Sequence, residues 1–120
     1  MPWPASAGRP TCRPEVEVAT YGLVRDMRAE VDVPRDGILS RTIHTEGSLT
    51  LTLFGFDAGQ ELTEHTSSRA AIIEILDGEA EVVLDGDAHR LSAGAWVRMP
   101  AGMRHAIRAT TPMRMALTLL

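Results

Sequence analysis

From Ile38 onward the chain is a succession of short apolar runs separated by turn residues. Leu49-Thr-Leu-Thr-Leu53 alternates apolar and hydroxyl side chains strictly, which is the two-residue period of a strand with one buried face. The same reading predicts strands over Ile38–Thr45 and Ser48–Phe56, joined at Glu46-Gly47, and over Glu61–Thr66 and Ala70–Leu76. Further strands are predicted over Glu79–Leu84 and Asp87–Leu91, from Gly94 to Pro100, and over Arg104–Ala109 and Met113–Leu119. Asp77-Gly78 and Asp85-Gly86 stand between strand-like runs and predict two hairpin turns. Ahead of the strands, Thr20–Met27 sets Leu23, Val24 and Met27 on one side of a short helical turn.

Nine short strands with almost no helix predict an all-β sandwich or barrel. A parallel α/β fold needs a helical crossover between strands, and the chain has no room for one. At 120 residues it is a single domain long enough to bury a core without staples. Three parts are expected: a flexible Pro-rich tail at 1–14, a segment at 15–37 that packs on the barrel or on a partner, and the barrel at 38–120.

The net charge of −4 and the lack of a basic run argue against nucleic acid or an anionic membrane as partner. All twelve basic residues are Arg. The one cysteine, Cys12, allows no internal disulfide, and no stretch has the length or apolarity of a signal peptide or membrane span. A cytoplasmic protein is the expectation. P-loop, dinucleotide-binding, CxxC and EF-hand patterns are missing, and nothing around Ser67 and Ser68 supplies a catalytic triad.

The chemistry concentrates on two segments, Gly59-x5-His65-x-Ser67-x3-Ala71-x6-Gly78 and Gly94-x5-Pro100-x-Gly102-x2-His105. Alternation puts Thr63, His65 and Ser67 on one face of the first strand, and His105, Ile107 and Ala109 on one face of the second. Arg104 and Arg108 then face outward, and Glu61 lies about 13 Å along the strand from His65.

In spacing these two segments resemble the paired motifs of the cupin superfamily. Leu39-Ser-Arg-Thr-Ile43, Gly59-Gln-Glu-Leu-x-x-His65-x-Ser67 and Met99-Pro-Ala-Gly-x-x-His105 look like a group of small single-domain bacterial, RmlC-like cupins with His-x-Ser in place of His-x-His. The resemblance implies a double-stranded β-helix, that is, a jelly-roll barrel of two antiparallel sheets, in which both motif strands direct their histidines at one point. It also implies that two of the four metal ligands of the superfamily are replaced, by Ser67 and Ala71.

A barrel that binds a small molecule is therefore expected, with His65, Ser67, His105, Met99 and Ile107 lining the pocket. The alternative is a metal-dependent dioxygenase or isomerase in which His65 and His105, with His44 as a third ligand, hold Zn, Fe, Ni, Mn or Cu. A second alternative is a structural domain with a filled barrel. Apolar residues on both faces of Ala70–Leu76 call for a second cover, either the N-terminal segment or the partner sheet of a homodimer.

Overall fold

The structure, a computed structural model, describes residues 21–120; Cys12 and the tail at 1–14 lie outside the described residues. Nine strands follow one another: β1 (Ile38–Glu46), β2 (Leu49–Phe56), β3 (Glu61–His65), β4 (Ala71–Asp77), β5 (Glu79–Leu84), β6 (Asp87–Ser92), β7 (Trp96–Met99), β8 (His105–Ala109) and β9 (Met113–Leu119). They form a five-stranded sheet in the order β1-β2-β9-β4-β7 and a four-stranded sheet in the order β3-β8-β5-β6. Every pairing is antiparallel. The result is the all-β jelly-roll barrel that the strand pattern and the motif spacing predict.

The two sheets close on one apolar core. Phe56, Ile73 and Ile75 of the larger sheet meet Val82 and Ile107 of the smaller, with Met99, Met113 and Met115 filling between them. Unbranched thioethers adapt to the irregular gap between two twisted sheets, so these methionines are core side chains.

Two turn expectations separate here. Asp85-Gly86 joins β5 to β6 as a true hairpin, and both residues take positive φ (48° and 88°), the two-residue turn that suits strand twist. Asp77-Gly78 makes no hairpin, because β4 and β5 belong to different sheets. It is a corner at which the chain crosses the barrel. Gly78 sits at φ 79°, and a Cβ there would collide with the Pro112 carbonyl and Met113.

The helical turn expected over Thr20–Met27 does not form in the described residues 21–26. A single 3-10 turn begins instead at Met27 and runs to Glu30. Asp26 caps it, its carboxylate accepting from the Arg28 N–H at 3.1 Å. An Asp that bonds backbone in this way favours a helix start over a helix interior, and Gly22 weakens the preceding turn further.

Residues 27–33 then run as a strap over the outer face of the larger sheet. Val31 is buried with Leu53 and Ala116, and Met27, Ile43, Leu51 and Leu76 pack around them. The Arg114 guanidinium ties the strap down by donating to the Val31 carbonyl at 2.8 Å while pairing with Asp77 at 2.9 Å. At Gly55 the strap passes so close that any Cβ would strike the Asp32 carbonyl. The outer apolar side of β4 is thus covered at Leu76 by the chain's own N-terminal segment.

Candidate functional site

His65 ends β3 and His105 opens β8, and the two are directly opposite in the antiparallel register. Their ring centroids are 4.1 Å apart at an interplanar angle of 58°. His105, Ile107 and Ala109 share the inward face of β8, all buried. The first motif strand departs from plain alternation. Leu62 pairs with Ile107 and His65 with His105, so three residues on β3 span two on β8. This bulge sets half-buried Leu62 opposite Ile107 and leaves Thr63, expected to face inward, exposed; His65 at the end of the strand is exposed as well, beside buried His105.

The bulge also re-aims a carbonyl. His65 Nδ1 lies 2.7 Å from the Thr63 carbonyl oxygen, and His105 Nδ1 lies 3.1 Å from that of Met103. A carbonyl oxygen only accepts, so each neutral imidazole carries its proton on Nδ1 and keeps the Nε2 lone pair free. Both histidines use the carbonyl two residues before them. That partner is backbone, so no side-chain pattern in the sequence announces it.

Burial sets the charge state. His105 is 6% exposed, and this desolvation holds its pKa below the ordinary histidine value. The bond to the Met103 carbonyl opposes the shift, and the neighbouring His65 ring adds to it. His105 is accordingly a neutral acceptor at physiological pH.

Ser67 lies beyond the end of β3, half-buried, with its hydroxyl accepting from the Arg69 N–H at 3.2 Å. Its carbonyl accepts from the Gly102 N–H at 2.7 Å, which links the loop after the first histidine to the loop before the second. Met99 and Ile107, both expected to line the pocket, are buried in the core. His44 is on β1 of the other sheet, where its Nε2 bonds Glu46 at 3.1 Å. His89 is exposed on β6, Arg104 pairs with Asp85 at 3.7 Å on the exterior, and Glu61 is exposed opposite Arg108.

A resident metal shell does not fit this donor set. Among the described residues no group of three or more His, Cys, Asp or Glu converges. Two imidazoles fall short of the three or four protein ligands that hold a zinc-like ion. Ala71, at the carboxylate position of the motif, faces the core at 2% exposure, opposite Met99 and Leu119.

Comparisons with known proteins agree with this fold. A search of curated proteins found no match. A conserved protein of unknown function from Streptococcus pyogenes is 33% identical, with 90% of this chain and 95% of that one aligned at a TM-score of 0.75. An RmlC-like cupin protein from Desulfovibrio desulfuricans is 26% identical over 86% of this chain and 96% of its own, TM-score 0.69. A cupin superfamily protein from Desulfitobacterium hafniense shares the fold at 21% identity and a TM-score of 0.75, over 91% of this chain and 98% of its own. The family profile described as Cupin domain matches residues 52–119, from β2 through both histidines to the last strand. The chain belongs to the cupin superfamily.

Proposed function

We propose that the barrel binds a small molecule at the His65–His105 pair. One observation carries the reading: both Nδ1 atoms are committed to backbone carbonyls, which leaves the Nε2 lone pair of each of two adjacent rings unengaged. Such a pair accepts hydrogen bonds from a ligand that offers two donors, such as the hydroxyls of a sugar or a hydroxy acid. Met99 and Ile107 supply an apolar floor. No carboxylate general acid stands beside the two imidazoles among the described residues, and binding rather than catalysis is the activity proposed.

The test is a thermal-shift screen of small sugars and hydroxy acids on the wild type and on the His65→Ala/His105→Ala variant. A true ligand at a hundred times its Kd stabilises by about 2.7 kcal/mol. That gain should vanish in the double variant while its fold, read by circular dichroism, persists. A ligand that stabilises both proteins equally would refute the reading. Elemental mass spectrometry on the same samples covers the metal-dependent alternative, which a stoichiometric ion lost from the double variant would establish.

The chain is further proposed to act in the cytoplasm as a homodimer. Ile72 and the 59% exposed Trp96 support the dimer, since they lie on the outer face of β4 and β7. Sedimentation equilibrium of Trp96→Arg should then shift toward monomer.

A further inference from the structure

A second site lies outside the barrel. Between residues 22–27 and the far end of the β1–β2 hairpin is a cavity of about 760 Å³, lined by Leu23, Val24, Met27, Ile43, Leu49 and Leu51. Gly22, His44 and Glu46 complete the lining. The volume is that of a pocket for a small organic molecule, and an apolar wall with a few convergent polar groups is the usual make-up of one. Leu23 and Leu49 are 65% and 36% exposed along it, so an apolar occupant would remove from water surface that the described residues leave uncovered.

The polar end defines the chemistry of that occupant. With Nε2–H donating to the Glu46 carboxylate at 3.1 Å, the neutral His44 ring presents Nδ1 as an acceptor beside Gly22. Gly22 has no side chain to block it; a Cβ there would stand 3.8 Å from Nδ1. Glu46 adds a negative charge that is 81% exposed. The Arg41 side chain is held by the Glu30 carbonyl at 2.9 Å and by its carboxylate at 3.5 Å; among the described residues the groove has two acceptors and no lining cation.

We infer that this groove binds an amphipathic amine, with its apolar body against Leu23, Leu49 and Leu51 and its ammonium head on His44 Nδ1 and Glu46. An amphipathic carboxylate would meet Glu46 as a like charge and is disfavoured.

The experiment uses the full chain with 1-aminoanthracene as fluorescent probe, displaced by dodecylamine or dodecanoate below their micellar concentrations. Saturable probe binding is expected, with dodecylamine displacing at least about tenfold more effectively than dodecanoate. Glu46→Gln should remove most of that preference, and Leu51→Trp should abolish binding by filling the groove. His89→Ala, which alters an exposed imidazole elsewhere, should change nothing. If Leu51→Trp does not fold, the surface variant Glu46→Gln decides alone. Absence of saturable binding, or equal displacement by both amphiphiles, overturns the inference. So does a dimer-to-monomer shift in Leu49→Arg, which would show the groove to be covered by a second copy of the chain.

Discussion

Acidification should weaken this fold through one histidine. His105 is neutral in the folded protein, and burial holds its folded pKa below the unfolded value of about 6.5. Below pH 6.5 the unfolded chain therefore binds more protons at this residue than the folded one does. The contribution of His105 to stability is complete above pH 6.5 and is lost as pH falls toward the folded pKa. One proton sets the ceiling: the slope attributable to His105 cannot exceed about 1.4 kcal/mol per pH unit. The comparison protein is His105→Phe, which keeps a planar ring and removes the titration. It also deprives the Met103 carbonyl of its partner, at a cost of about 1 kcal/mol that is independent of pH. Urea unfolding followed by circular dichroism at half-unit steps from pH 8 to pH 5 separates the two effects. The variant should be offset at pH 8, and the gap should shrink as the wild type loses stability on the acid side. Parallel curves across the whole range would refute the neutral, buried assignment.

Two further outcomes test the scaffold. Gly55→Ala should cost about 1–3 kcal/mol in urea, because a Cβ at that position forces the strap off the sheet, and hydrogen exchange should rise at Val31 before it rises in β5. Asp57→Asn should flatten the acid limb below about pH 4. Its carboxylate accepts from the Asp36 and Ala58 N–H groups, which lowers its pKa, so its contribution is present above 3.8 and fades as pH falls below that value.

Most of the barrel was legible because its strands are locally consistent. Leu49–Leu53 alternates cleanly, Met113–Leu119 repeats an apolar residue every second position, and Asp85-Gly86 has the side chains its backbone angles require. Asp77-Gly78 carried the same signal and meant something else, since a turn dipeptide reports local bending and not which strands pair afterwards. The pairing of His65 with His105 was legible from motif spacing, but the face of Thr63 was not. A bulge is decided by register against the neighbouring strand, and a single strand read alone cannot show it. His44 was a candidate third ligand by residue type alone; sheet order separates it from the pair and gives it to Glu46. The strap was the least visible element. Its anchors, Arg114 and Gly55, are remote in sequence from the residues they hold.

The link between Ser67 and Gly102 bears on how such a protein can change over generations. The bond that joins the two loops comes from the backbone carbonyl of residue 67, which every amino acid possesses. The side chain there adds only one hydrogen bond, to the Arg69 N–H. Position 67 can therefore gain or lose a metal-binding imidazole while the architecture stays intact. Position 71 has no such freedom, because its methyl group is sealed between Met99 and Leu119. A route to a four-ligand centre would open easily at the serine and stall at the alanine, where a carboxylate has to displace packed core before it meets any ion.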